Sequence, residues 1–412
     1  MRRAPLRLLV NSFHTRQYRF MQQLTDSQNN SPLSARVSDE PGRREQRATR
    51  VMFFLAGFAT AVWAALVPFA KLNTGVDDGT LGLLLLCLGG GALVAMPVTG
   101  MLTTRFGCRK VIALAVLLFC LILPWLAVIP DTVLLAIALL VFGIGVGTTD
   151  CAMNVQAILV EKAAGKAMMS GFHGFYSIGG IVGAGAMSGM MSLGLSPLAA
   201  SLLSVLVAVV LLLTHLAGLL TYANPPEGPA FAIPRGAVLV LGLVCFAVFL
   251  AEGTVLDWSA VFLTEHRGMP DAQGALGFAC FAAAMTLGRL TGDRVVTALG
   301  PQPVVMLGAS MAVAGLMLAV WVPFWPVALL GYALIGLGCS NIVPIMFSAI
   351  GRQTSMSQAA AVPAVTTLGY FGVLAGPASI GFIAHHSSLS AAFLVVAVLL
   401  ALVGLSAKAV KV

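Results

Sequence analysis

The sequence is poor in charged residues. Only 9% of its 412 residues are Asp, Glu, Lys or Arg, whereas 59% are hydrophobic. A water-soluble domain carries roughly a quarter charged residues, so this chain has too few to cover a water-facing surface. The scarcity of charge therefore excludes an ordinary soluble protein and indicates burial in a lipid bilayer.

Several kinds of site are also missing. The net charge of +8 resides mainly in the first 50 residues, where ten arginines face four acidic residues, and so indicates no nucleic-acid partner. Seven cysteines stand singly, with no CxxC spacing for a disulfide framework or a metal. The glycine-rich stretch GIGVG (143–147) lies inside an apolar block and is no phosphate loop. We expect no cofactor, no metal, no ATP-driven step and no enzyme activity.

The chain does contain long apolar blocks, one after another from residue 51. A helix needs about 20 apolar residues to cross the hydrocarbon core. Only helices and closed barrels satisfy their backbone in lipid, and these blocks are too long for barrel strands. We predict an all-α polytopic membrane protein with twelve transmembrane helices. The predicted spans are 51–71, 80–103, 109–129, 132–160, 167–191, 196–221, 236–263, 272–297, 302–322, 325–350, 358–384 and 388–408.

The basic residues predict the orientation of these spans, since Lys and Arg in short loops stay in the cytoplasm. With the N-terminus inside, the outer joints hold only Lys71 and Arg267. The cytoplasmic joints hold Arg105, Arg109, Lys110, Lys162, Lys166, Arg235, Arg294 and Arg352. We therefore predict a multi-pass protein of the bacterial inner membrane with both termini in the cytoplasm.

Residues 1–50 resemble neither a span nor a cleaved signal, and we predict a basic, largely disordered tail. Within it, residues 4–21 have the pattern of a basic amphipathic helix on anionic lipid. The alternative is that translation starts at Met21.

The two parts of the chain match when one is shifted by about 190–195 positions. LAGFATAVWAA (55–65) aligns with LAEGTVLDWSA (250–260), and TRFG (104–107) aligns with TALG (297–300). We predict two pseudo-symmetric six-helix bundles, at 51–221 and 236–412, joined by a linker at 222–235. A solute path between two parallel repeats is a known transporter plan.

The stretch GMLTTRFGCRK (100–110) resembles the signature of the major facilitator superfamily (MFS), Gly-x-x-x-Asp-Arg-x-Gly-Arg-Lys. The matching residues are Gly100, Arg105, Gly107, Arg109 and Lys110. Thr104 replaces the acid that helps latch the cytoplasmic side in that family, and Thr297 stands at the corresponding place in the second half. Residues 150–161, 170–180, 251–263 and 369–381 are similar to one bacterial branch of it. The resemblance implies the MFS fold and solute transport, without a substrate.

Polar residues within the spans are the candidates for a site, because each is costly in lipid and usually faces a cavity or a partner. Asp150 and Asn154 share one face of span 4. Asp150 is either a proton-binding acid or a buried carboxylate that joins span 4 to a neighbour. Glu161 reads as a solvated charge at the end of the span. His173 enters span 5 at the depth of Asn154, where it either titrates or is a hydrogen-bonded packing residue.

The second half offers its own candidates. Glu252 is the best isolated acid there, and we expect it to bind a proton or the solute. Asp257 is an outer-gate candidate, and Trp258 either lines the cavity or belongs to an interfacial aromatic belt. Arg289 and Asp293 are four residues apart and read as an ion pair within span 8; alternatively, Arg289 reaches an anionic solute. Further cavity candidates are Trp63, Asn341 and Thr366.

These residues lead to a secondary transporter that moves a small molecule by alternating access and is driven by protons. Asp150 near the inner side and Glu252 near the outer side of the midplane would serve as coupling groups. We expect uptake of a small polar metabolite by a monomer embedded in the bilayer. Two alternatives stay open: proton-driven efflux of an amphipathic or toxic compound, and a membrane sensor or assembly partner that transports nothing.

Overall fold

The computed structural model describes residues 42–223, 233–270 and 273–407, and within these ranges the chain is helical apart from short joints. The proposed amphipathic helix at 4–21, most of the predicted tail and most of the linker lie outside the described residues. Residues 43–50, predicted as part of the disordered tail, belong instead to the first helix. Ala48 and Thr49 are buried there, and the Gln156 side chain donates a 3.0 Å hydrogen bond to Thr49, so tertiary packing extends this helix.

Twelve membrane-length segments follow one another, and we number them α1 to α12. The first six are α1 (Arg43–Thr74), α2 (78–106) and α3 (108–122), which Gly107 separates within Asp78–Ile122, α4 (Thr132–Ala164), α5 (Met169–Ser192) and α6 (Pro197–His215). The last six are α7 (Ala237–Arg267), α8 (Leu276–Leu299), α9 (Pro301–Trp321), α10 (Trp325–Cys339, continued as Ile342–Ile350), α11 (Gln358–His386) and α12 (Leu389–Ser406).

Apolar length accounts for most of these segments. Among the described residues, nine helices are long and apolar enough to cross a membrane. The run Thr80–Ala127 counts as one of the nine but contains two segments, α2 and α3. α5, which is rich in glycine and serine, and α8, which carries Arg289, Asp293 and Arg294, add two more. The predicted all-α, twelve-helix architecture is confirmed.

Two glycines with the same unusual backbone show the internal repeat. Gly107 bends the helix between α2 and α3 at φ 79° and ψ 159°, and Gly300, between α8 and α9, has φ 82° and ψ 160°. They stand 193 positions apart, within the predicted shift. Only glycine adopts this region without strain. The two halves thus make the same turn at the same place.

Helix packing repeats in the same way. A Cβ added at Gly179 would lie 3.0 Å from the Cα of Phe54, and one added at Gly372 would lie 3.0 Å from the Cα of Phe246. Small residues therefore let α5 approach α1, and α11 approach α7, at matching positions. The two six-helix halves are pseudo-symmetric in packing as well as in order.

The lysine- and arginine-rich joints lie together at one end of the bundle, which we call the basic end. Lys162, Lys166 and Arg352, from the α4–α5 and α10–α11 joints, line one groove of about 290 Å³ with Pro301 of α9. At this end the first turn of α5 contacts α8 and the first turn of α11 contacts α2, so the two halves touch here.

The bend at Gly107 yields a stability prediction. Gly107→Ala should lower the free energy of unfolding by more than the roughly 1–3 kcal/mol of backbone strain, because the new Cβ would also overlap the Thr221 carbonyl oxygen. Gly300→Ala has the same strain but meets only Pro303 Cδ at 3.9 Å, so it should cost less. The measurement is the apparent melting temperature of the purified protein.

Gly90→Ala is the matched control for both variants. Gly90 lies in α2 with no atom within 4 Å of a built Cβ, so alanine there should leave the melting temperature unchanged or raise it slightly. Equal melting temperatures for Gly107→Ala and Gly90→Ala would contradict the assigned bend.

Candidate functional site

Glu252 of α7 and Arg289 of α8, both in the second half, form an ion pair inside the bundle. Arg289 Nη2 lies 3.3 Å from Glu252 Oε1, and the two side chains are 9% and 20% exposed. Arg289 Nη1 donates to Ser177 Oγ of α5 at 3.1 Å. Because an unpaired charge inside a lipid-embedded bundle is costly, each charge holds the other in place. The ion pair of the second half is thereby tied to the first half.

Asp150 of α4 and this ion pair have a common neighbour, Tyr176 of α5. Tyr176 interacts electrostatically with Asp150 and also with Glu252 and Arg289. Tyr370 of α11 interacts with Asp150 and Tyr176 as well. The acids predicted on opposite sides of the midplane therefore share Tyr176 as a neighbour. We call Asp150, Tyr176, Ser177, Glu252 and Arg289 the central cluster.

Asn154 and His173 border the central cluster with different contacts. Asn154 is 1% exposed, and its Nδ2 donates to the Asp150 carbonyl at 2.9 Å, while its buried Oδ1 has no partner. His173 Nδ1 lies 3.0 Å from the Met169 carbonyl oxygen. Its ring centroid lies 5.0 Å from that of Phe53 and 5.8 Å from that of Phe347. These contacts match the packing alternative for His173.

Arg289 and Asp293 do not pair with each other, so the ion pair predicted within span 8 is wrong. Arg289 turns to Glu252 and Ser177, and Asp293 Oδ2 accepts the Gly171 backbone N–H at 3.0 Å. Gly171 on α5 competes successfully with Arg289 for the Asp293 carboxylate, because the first N–H groups of a helix have no acceptor within the helix and attract negative charge.

The start of α5 receives a second carboxylate from α4. Glu161 Oε2 accepts the backbone N–H groups of Met168 and Met169, each at 2.8 Å. Glu161 was predicted as a solvated end charge, but its side chain caps the next helix instead. The first turn of α5 is thus held by Glu161 from its own half and by Asp293 from the other half.

The remaining cavity candidates mostly make packing contacts. Asn341, at the break within α10, donates to the Gly288 carbonyl at 3.1 Å. Thr366 is 1% exposed and donates to the Val362 carbonyl at 2.8 Å. Trp63 is 4% exposed and its ring centroid lies 6.4 Å from that of Phe142. Trp258 differs, since its buried Nε1 has no partner. Asp257, the outer-gate candidate, is exposed.

The signature stretch 100–110 has a structural role at the basic end. Arg109 Nε and Nη2 donate to the carbonyls of Leu219 and Ala217 at 2.8 and 2.9 Å, which satisfies groups left open beyond the end of α6. Thr104 donates to the Gly100 carbonyl of its own helix at 2.9 Å. Arg105 lies over the Phe106 ring, 5.2 Å from its centroid. The Thr104 hydroxyl is thus used within its own helix and not in a bond to the other half.

Gly100 and Asp293 occupy the same place in the two halves, 193 positions apart. Gly100 lies against the first turn of α11, where an added Cβ would overlap the Ala359 carbonyl and approach Pro363 Cγ to 2.6 Å. Asp293 lies against the first turn of α5 through Gly171. The contact at Gly100 is a close approach of two backbones, whereas the contact at Asp293 is made by a carboxylate. Asp293 lies one turn before Thr297, the position at which the signature has its acid.

Sequence reasoning missed Tyr176, Ser177 and Tyr370. Nothing in their residue types marks them, because Tyr and Ser inside a span are common packing residues. The signal that could have found Ser177 is spacing: it follows His173 by four residues and so shares its helix face.

Comparison with known proteins agrees with this geometry. The family model described as Major Facilitator Superfamily matches residues 51–256 and 240–410. A protein of Yersinia pestis described as an uncharacterized MFS-type transporter is 52% identical over 372 residues, which are 90% of this chain and 97% of that protein.

Two solved structures share the fold. The Escherichia coli fucose:proton symporter FucP superposes with a TM-score of 0.73 at 17% identity, covering 89% of this chain and 98% of that one. The proton:xylose symporter XylE superposes with a TM-score of 0.68 at 13% identity, covering 88% and 94%.

Two matched six-helix halves with buried charges between them define a polytopic membrane transporter that takes a small molecule as substrate. The chain belongs to the Major Facilitator Superfamily. This membership favours a transporter rather than an enzyme.

The Asp293 contact yields a prediction about the basic end. A hydrogen bond to a charged group contributes about 1.5–3 kcal/mol, so Asp293→Ala should raise the fraction of molecules open between α5 and α8 roughly tenfold or more. The measurement is the rate at which a maleimide labels a cysteine placed at Ser170, which is 2% exposed, with labelled peptides identified by mass spectrometry.

Thr291→Ala is the control on the same helix, since Thr291 is exposed and donates only to carbonyls of its own helix. Asp293→Asn, which keeps one acceptor oxygen, should fall between the two. Labelling that is no faster in Asp293→Ala than in Thr291→Ala would refute a latching role for Asp293.

Proposed function

We propose that this protein is a secondary active transporter of the bacterial inner membrane, with both termini in the cytoplasm, and that it takes up a small polar metabolite together with protons. The observation that carries the proposal is the Glu252–Arg289 pair, held by Ser177 from the other half. A titratable acid paired with the arginine that bonds the other half is a suitable coupling group, because protonation of the acid changes the charge balance at that contact.

Contacts at the basic end support alternating access. Asp293 joins α8 to α5, and Gly100 lies against α11, so two pairs of helices close the interface there. The positive-inside rule favours the cytoplasm for this end. The arrangement then has its cytoplasmic side closed, and inward opening requires both contacts to separate.

Proton coupling draws on the second acid as well. Asp150 and the ion pair have Tyr176 as a common neighbour, so both carboxyls are candidate proton sites within the central cluster. Two proteins of similar fold are described as proton symporters for fucose and for xylose. A polar solute carried with protons fits both observations.

The test is transport by the purified protein in liposomes, with a solute first selected from a metabolite panel by thermal stabilisation. An imposed pH gradient, acid outside, should drive accumulation in the wild-type protein. Glu252→Gln and Asp150→Asn should reduce accumulation at least about tenfold, to the equilibrium level, because neither side chain can then carry a proton. Both variants should still exchange labelled for unlabelled solute, which needs no net proton movement.

Asp131→Asn is the matched control. Asp131 is an exposed acid at the start of α4 whose side chain accepts the Leu134 N–H at 2.8 Å, and asparagine can keep this cap. Its accumulation should equal that of the wild-type protein. Gradient-driven accumulation that persists in both Glu252→Gln and Asp150→Asn would exclude the proton role.

A further inference from the structure

Arg289 has hydrogen-bonding capacity that its neighbours do not use. The side chain has five N–H donors, of which Nη1 bonds Ser177 and Nη2 faces Glu252. Its Nε is buried and has no partner. Arg289 is only 7% exposed, so this donor lies out of reach of bulk water. A buried guanidinium with an open donor is unusual, because such groups are nearly always satisfied.

The partner that Arg289 does have is a loose one. A charge-assisted bond between guanidinium and carboxylate is typically about 2.7–2.9 Å long and often uses two parallel N–H groups. Glu252 supplies one oxygen to one nitrogen at 3.3 Å. Ser177 fixes Nη1, which leaves the edge formed by Nε and Nη2 for a planar, two-oxygen ligand. Glu252 neutralises Arg289 without filling this edge.

Within the described part of the chain, the other groups near Arg289 do not provide a competing anion. From α5 it interacts electrostatically with His173 and Tyr176, and from α10 with Cys339. Glu252 of α7 is the carboxylate that faces it. Once Glu252 takes up a proton, the charge of Arg289 is left without its counterion and requires a new one.

We propose that Arg289 is the anion-binding residue of the transport site and that the solute carries a carboxylate, which replaces Glu252 on the Nε–Nη2 edge when Glu252 is protonated. This inference rests on the proposed transport function. The proton neutralises Glu252 and the solute carboxylate neutralises Arg289, so one proton and one anion enter together. The loaded and empty sites then have the same net charge, which suits a buried site that must be exposed to either side of the membrane in both states.

Acetate is the probe for this edge, because it carries the carboxylate and little else, and acetamide is its neutral counterpart. The full-length protein is purified in detergent and its apparent melting temperature measured with either compound at equal ionic strength. In Glu252→Gln the internal competitor is gone. Acetate should therefore stabilise this variant at a concentration at least roughly tenfold lower than it stabilises the wild-type protein at pH 7.5. Acetamide should stabilise neither.

Arg289 must be the residue responsible. Adding Arg289→Gln to Glu252→Gln should abolish the acetate effect, and the pair Glu252→Gln/Arg289→Lys, which keeps the charge but loses the fork, should retain only part of it. An acetate effect that survives in the Gln/Gln variant, or equal effects of acetate and acetamide, would overturn the proposal.

A second arm serves if the variants fail to fold. In the wild-type protein, acetate should stabilise more at pH 5.5 than at pH 7.5 relative to acetamide, since protonation of Glu252 frees Arg289; no difference would overturn the proposal. Gradient-driven accumulation of a neutral solute would leave the transport function standing and refute the anion. An Arg289-dependent acetate effect without any flux would support the anion site and refute the transport function.

Discussion

The structure depends on one constraint: a charge inside a lipid-embedded bundle must have a counterion. Arg289 and Glu252 meet this requirement across α7 and α8, and Ser177 brings α5 into the same contact. Apolar packing alone holds transmembrane helices together only weakly, because lipid is as apolar as they are. The buried pair therefore fixes how α5, α7 and α8 face one another in the middle of the molecule. In the proposed mechanism, protonation of Glu252 acts on this same contact.

The internal repeat shows where the two halves differ. Gly107 and Gly300 keep the same bend, but Gly100 and Asp293, also 193 positions apart, do not keep the same chemistry. In the first half α2 approaches α11 through a glycine. In the second half α8 holds α5 through a carboxylate at the open end of a helix. An acid is thus present at the contact between the halves, although threonine replaces the acid of the signature in both halves, at Thr104 and Thr297.

Most of the fold could be predicted from the sequence, because the length of each apolar span and the spacing of the repeat can be read directly along the chain. The identity of the candidate residues Glu252, Asp150 and Arg289 was also predictable, since charge in a span is rare. Their partners were not. Asp293 sits four residues from Arg289, which favours a pair on one helix, but the two side chains bond different helices. Which neighbour competes successfully depends on helix packing that no spacing rule contains.

The same geometry links the central cluster to the basic end. Arg289 and Asp293 lie one turn apart on α8, and both contact α5, at Ser177 and at Gly171. A movement of α8 away from α5 as a rigid body must therefore separate both contacts. Exchange of Glu252 for the solute at Arg289, as proposed, acts on the same guanidinium that donates to Ser177, which is one of the two bonds that keep this pair of helices together. Opening of the basic end then depends on what occupies the site, which is the coupling that a secondary transporter needs.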